Sequence, residues 1–157
     1  AYDDTATVMA FQSVVYFVGN TGRMSEQNKA INALYRQTHI TANNTFIVEE
    51  LIEGIDSMQI IYGELLASGN HRYLPADDIA ALQANAIADL QLVDSIQLGL
   101  LVSGSKDVIP SNDDLSYELP GETIIADSSS AGTTDVTHEV DKRLRRDFSM
   151  TINIRNR

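Results

Sequence analysis

"RLRRDFSMTINIRNR", Arg143 to Arg157, closes the chain and decides how the rest is read. From Phe148 onward apolar and polar residues alternate, with Phe148, Met150, Ile152 and Ile154 on one side and Ser149, Thr151, Asn153 and Arg155 on the other. A period of two is the mark of a β-strand that turns one face toward an apolar interior. The expectation is a last sheet strand whose four apolar side chains point inward. A nucleic-acid-binding arm would instead interleave its arginines with exposed aromatics, and here the only aromatic, Phe148, falls on the apolar side.

Charge supports that choice. Net charge is −11, but residues 142–157 hold six cations against Asp147 alone, so the tail carries +5 and the remaining 141 residues −16. A field of that sign repels phosphate backbones and anionic lipid, so no nucleic acid partner is expected. The tail arginines have an excess of carboxylates in their own chain to meet. With 157 residues, 43% of them hydrophobic and 21% charged, the chain suits one globular domain with a real core. It has no cysteine, which removes disulfides, thiolate metal sites and a cysteine nucleophile. No apolar run approaches the roughly 18 residues of a membrane span, and the acidic start Ala1-Tyr2-Asp3-Asp4 is unlike a signal peptide.

Three more segments read as strands. Val8 to Gly19, "VMAFQSVVYFVG", is apolar on both sides and expected to be buried on both, ending at the turn cluster Gly19-Asn20-Thr21-Gly22. Asp56 to Leu65 places Met58, Ile60 and Tyr62 on one face, and Asp94 to Gly104 does the same for Ile96, Leu98, Leu100 and Val102. Between these two, "LPADDIAALQANAIADL" predicts a helix that starts at Pro75, with Asp77 and Asp78 in the first turn and Ile79, Leu82, Ala86 and Leu90 as its stripe. A short helix is expected over Glu139 to Arg146 behind a Thr137 cap, and Ser25 to Arg36 reads as helix or loop, with Ile31, Leu34 and Tyr35 as a weak stripe. From Ser103 to Thr137 periodicity is lost, which predicts a long loop with a short strand at Thr123 to Ile125. The order suits an α+β domain with a largely antiparallel sheet and one or two short helices, a single unit over residues 1–157 with its long loop at about 103–137.

No constellation for catalysis emerges, so no catalytic, metal or cofactor residue is assigned and no small-molecule substrate is expected. His39, His71 and His138 are far apart and read as solvated loop residues; His138-Glu139 lacks the second histidine of a zinc helix, since Lys142 stands there. There is no Gly-x-Ser-x-Gly elbow, and Ser103-Gly104-Ser105 reads as the start of a turn. Asn112, Asp113, Asp114 and Glu118 cluster oxygens that calcium would take, but without the regular ligand spacing they read as a solvated acidic loop. Glu49, Glu50, Glu53 and Asp56 read as a solvated sheet edge rather than an acid–base pair.

The closing stretch has a further property. "RLRRDFSMTINIRNR" resembles the C-terminal signature of the PilW family of type IV pilus minor pilins, which finish in an RLRR-aromatic, T-rich strand and an RNR-like ending. "VVYFVGN", Val14 to Asn20, and "ALYRQ", Ala33 to Gln37, are similar to that family's tyrosine-rich strand and LYR element. "ELIEGIDSMQIIYG", Glu50 to Gly63, and "VDSIQLGLLVSG", Val93 to Gly104, resemble its next two strands, in the same order. The J-type pseudopilin of type II secretion is a more distant likeness.

The resemblance implies a non-enzymatic pilin-like domain that primes pilus assembly and sits in or at the tip of the filament, with other minor pilins and the major pilin as partners. It implies a place at the bacterial inner membrane, periplasm and extracellular pilus, the membrane being reached only through an N-terminal helix missing from this sequence. The chain is thus expected to be the C-terminal part of a longer protein. The alternatives are a surface- or carbohydrate-binding adhesin domain that uses the Ser103 to Thr137 stretch, and a type II secretion pseudopilin. Among the matched residues, Gly54 and Gly63 are expected to permit turns or bulges at the ends of the second strand, and Arg143 and Arg146 to make surface ion pairs.

Overall fold

The computed structural model of the chain describes residues 13–40, 45–78, 93–127, 132 and 134–154. Among them, ten strands form three sheets and helix is limited to residues 76–78, so the domain is the largely antiparallel sheet structure expected. Strands β1 (Val14–Met24), β2 (Ala30–Ile40) and β3 (Thr45–Glu53) make an antiparallel meander in that order. The central sheet has β4 (Ile55–Leu65), β5 (His71–Leu74), β6 (Val93–Asp107) and β10 (Arg143–Asn153) in the order β10-β6-β4-β5. The third sheet is small: β7 (Tyr117–Leu119) and β8 (Glu122–Ala126) form a hairpin, and β9 (Thr137–His138) lies parallel to β8.

One residue joins the first two sheets. Gly54 separates β3 from β4 at a φ of 84°, a conformation that glycine adopts without strain. Its N–H donates to the Asn32 carbonyl of β2 at 2.8 Å and its carbonyl accepts from the Ser103 N–H of β6 at 2.7 Å. A Cβ at this position would collide with the Ser103 carbonyl oxygen. Side-chain loss and backbone freedom are both needed here.

The third sheet covers one face of the second. The β7–β8 turn is Pro120-Gly121, with Gly121 at φ 78° as the third position of a type II turn demands. Pro120 lies on Gly99 in the middle of β6, where any side chain would strike its ring. Beneath the hairpin, Leu101, Leu119 and Ile124 form a fully enclosed cluster, flanked by Tyr117 and Val136.

Several expectations are corrected. Residues 8–12 of the first predicted strand lie outside the described residues, and β1 does not stop at the glycine cluster but runs to Met24, absorbing it as an irregularity between Asn20 and Met24. Nor is it buried on both faces, since Val14, Val15 and Tyr16 are exposed on what is an edge strand of a three-stranded sheet. Ile31, Leu34 and Tyr35 belong to strand β2, not a helix, because pairing on both sides by β1 and β3 outweighs weak local propensity. Glu49, Glu50 and Glu53 do form an edge, on the unforeseen strand β3.

The stretch 103–137 is not a long loop. Ser103-Gly104-Ser105 continues β6 to Asp107, and β7 and β8 supply core residues, β8 being the short strand predicted at Thr123 to Ile125. No helix forms over Glu139 to Arg146: Thr137 and His138 pair with β8, and β10 begins at Arg143. The helix predicted after Pro75 is seen at residues 76–78, while Ile79, Leu82, Ala86 and Leu90 lie outside the described residues.

The largest correction concerns β10. It pairs with β6 from Arg143 to Asn153, so the predicted final strand exists. Its apolar side, however, does not face an interior: Phe148, Met150, Ile152 and Ile154 are 55%, 56%, 39% and 48% exposed. The sheet face they share is the open one; the hairpin lies on the other.

Candidate interaction surface

The register of the central sheet lines up its apolar residues in rows. Met58, Leu100 and Phe148 are opposite one another across β4, β6 and β10, as are Ile60, Leu98 and Met150, then Tyr62, Ile96 and Ile152. Directly opposed apolar side chains in neighbouring strands touch and stabilise the pairing. Here they also make a continuous hydrocarbon face, with Ile60 and the three β10 side chains exposed and the β6 side chains half-buried. Contiguous exposed apolar surface of this kind marks a contact site in a folded protein.

The covered face is held differently. Arg143 and Arg145 project to it from β10, on the side opposite Phe148, and both are buried. Arg143 Nε donates to Asp141 Oδ2 at 2.5 Å, and its Nη1 donates to Ser103 Oγ at 3.3 Å. Arg145 Nε donates to Asp56 Oδ2 at 2.8 Å, while its Nη1 reaches Asp141 Oδ1 at 2.9 Å and Asp113 Oδ2 at 3.3 Å. A register shift between Ile55 and Ser57 brings Asp56 into this group, and Tyr117 caps it by donating its hydroxyl to Asp113 Oδ2 at 2.8 Å. Burial pushes the Asp141 carboxyl up, but hydrogen bonds from Arg145 and Arg143 outweigh it and hold its pKa below the ordinary carboxylate range. Burial, then the bond to Asp113, raises the Tyr117 hydroxyl well above its usual value.

The lattice thus ties β10, β4 and the β9–β10 connection to the loop before β7. A buried ion pair gives back little net stability, because its charges have left water, but removing one partner strands the others without compensation. Arg143 was expected at the surface and is fully buried, and Arg146 has no ion-pair partner among the described residues. Sequence reading missed Asp56, Asp113 and Asp141 as partners. The one available signal was the Arg143-x-Arg145 spacing, which puts both guanidiniums on one side of a strand.

The other singled-out residues scatter. Asp113 is not solvated as expected but belongs to the lattice, while Asn112 and Asp114 are exposed and Glu118 accepts from Thr123 Oγ1 at 2.9 Å. The histidines are not loop residues: His39 packs on Phe46 between β2 and β3, His71 Nε2 is 2.8 Å from Asp94 Oδ2, and His138 is buried between the carbonyls of Glu139 and Leu115. On β3, Glu49 pairs with Arg36 and Glu50 with Arg23, so these acids brace the meander. No metal-ligating group of three or more such side chains occurs among the described residues.

A sheet domain with a structured charge lattice on one face and open hydrocarbon on the other offers surfaces for contact. The comparison with known families agrees: residues 15–156 match the family of type IV pilus-assembly protein W, PilW. The chain belongs to the PilW family. No curated protein and no solved structure matches it significantly. Membership connects the chain with the pilus assembly machinery and with contacts between pilin subunits. The match runs from β1 through β10, so the meander, the central sheet and the lattice arginines all lie within the PilW region. Among the described residues, no helix is long and apolar enough to cross a membrane.

Proposed function

We propose that this chain is the globular part of a non-enzymatic minor pilin, which primes type IV pilus assembly and sits in or at the tip of the filament. In the full protein an N-terminal apolar helix reaches the inner membrane, and the open face of the central sheet is the seat for helices of the pilus, its own or a neighbour's. The partners are other minor pilins and the major pilin. The observation that carries this reading is the register-aligned apolar face of β4, β6 and β10, exposed at Ile60, Phe148, Met150 and Ile152. Seating a helix there removes hydrocarbon from water at about 25 cal/mol per Å².

The test is made in the full-length protein. Strains carrying Ile60→Glu with Met150→Glu are expected to keep normal levels of folded protein and to lose most surface pili, counted by electron microscopy. Undiminished piliation would sink the proposal. The 103–137 stretch is a poor target for deletion, because Leu119 and Ile124 are part of the core.

A further inference from the structure

At the Arg143 end of the central sheet the open face deepens into an apolar groove of about 460 Å³. Val102, Leu144 and Phe148 line it, and Gly104, lacking a side chain, leaves room in its floor. Lys106 and Arg146 line it too. Every other described arginine is ion-paired, yet among the described residues neither of these two cations has an ion-pair partner. In a chain of net charge −11, two unpaired cations beside exposed hydrocarbon are a local exception.

We propose that this groove takes an amphipathic helix of a partner protein, one whose buried stripe is apolar and whose flanks carry Asp or Glu. Charge complementarity selects the acids: Lys106 and Arg146 are free to meet them, and the attraction is strongest beside desolvated surface. Sheet geometry selects the helix. The groove lies on the face of the paired strands β6 and β10, away from the free backbone edge of β10, so side chains make the contact there, and a helix presents an apolar stripe to such a face. The inference rests on the reading that the domain works by protein contact, and it specifies the partner's chemistry.

The test uses the chain and three labelled helical peptides in fluorescence anisotropy: a Leu stripe flanked by Glu, the same with Lys for Glu, and the same with Ser for Leu. The Leu–Glu peptide is expected to bind about tenfold or more tightly than either of the others, as like charge or lost burial would dictate. Arg146→Glu is expected to abolish that preference. Gly104→Val is expected to block binding while leaving the melting curve unchanged, since the nearest atom to a Cβ there is 3.9 Å away. Equal binding of the Glu and Lys peptides, or unchanged binding by both variants, overturns the proposal. So does a dimer of the chain that the same variants dissolve, which would give the groove to a second copy. Failure here leaves the piliation experiment standing, because Ile60 and Met150 lie outside the groove lining.

Discussion

The two faces of the central sheet are made by the same strands and divide their residues the wrong way round for an isolated domain. Toward the hairpin, β4, β6 and β10 turn Ser57, Ser95, Gly99, Ser103, Arg143 and Arg145, all buried. Toward solvent they turn Met58, Ile60, Leu98, Leu100, Phe148 and Met150. Beside Leu101 of the core, small and charged residues are inside because a hairpin turn must lie close against Gly99 and because the guanidiniums find three carboxylates there. The larger hydrocarbon set is left outside. Burial in this chain is assigned by what each face is for, and polarity alone does not reveal it.

The contrast is most easily broken at the lattice. Arg145→Met keeps the bulk of the side chain and removes the charge that Asp56, Asp113 and Asp141 share. Truncating one partner of a buried set leaves uncompensated charge, and the expected loss is about 3–5 kcal/mol in urea unfolding. A change within about 1 kcal/mol would mean that the lattice behaves like a surface ion pair.

Next in size is the joint between sheets. Gly54→Ala adds a Cβ at φ 84° against the Ser103 carbonyl, and a loss of roughly 2–3 kcal/mol is expected from strain and displacement together. Gly22→Ala is the control: its φ of 77° is similar, but nothing lies within 4 Å of the added atom. If the two variants melt alike, the clash contributes nothing and backbone strain is the whole effect.

The sequence revealed the strands at 56–65 and 94–104 and the final ladder, because period two with β-branched residues depends only on local pattern. It also carried the family resemblance that the PilW match confirms. It did not reveal β2, a central strand whose Asn32, Arg36 and Gln37 have no strong strand preference until β1 and β3 pair with them. It concealed β7 and showed β8 only as a short strand without a partner, since both are held by contact with Gly99 and Leu101 from far along the chain. Most of all, alternation says that a strand has two kinds of face without saying which is covered. Phe148 and Arg145 give the same pattern whichever side the hairpin takes. Only the long-range fit of Pro120 onto Gly99 settles it.

Acid sharpens the comparison by acting on the buried lattice. The Asp141 pKa is depressed in the folded chain, so its contribution to stability is complete above the unfolded carboxylate value, roughly 4, and is lost as pH falls through the lower folded value. Unfolding midpoints measured from neutral pH downward are expected to fall in that window. Asp141→Asn should show a lower midpoint at neutral pH and a shallower fall in acid. An identical slope in both proteins would place the acid sensitivity elsewhere.

The smallest effect is expected on the open face, and its smallness is the point. Met150 is more than half exposed, and replacing it by Thr keeps a strand-favouring residue at a position where little area is lost from burial. In the isolated chain Met150→Thr should shift unfolding by less than about 0.5 kcal/mol, as exposed positions usually do. Leu101→Ala, on the covered face of the neighbouring strand, removes a fully buried side chain and should cost about 2–5 kcal/mol. If Met150→Thr instead cost nearly as much, the face would already be covered within the chain, and it would have no surface left to offer a partner. A near-zero result in the domain, joined to a piliation defect in the full protein, separates a residue kept for contact from one kept for folding.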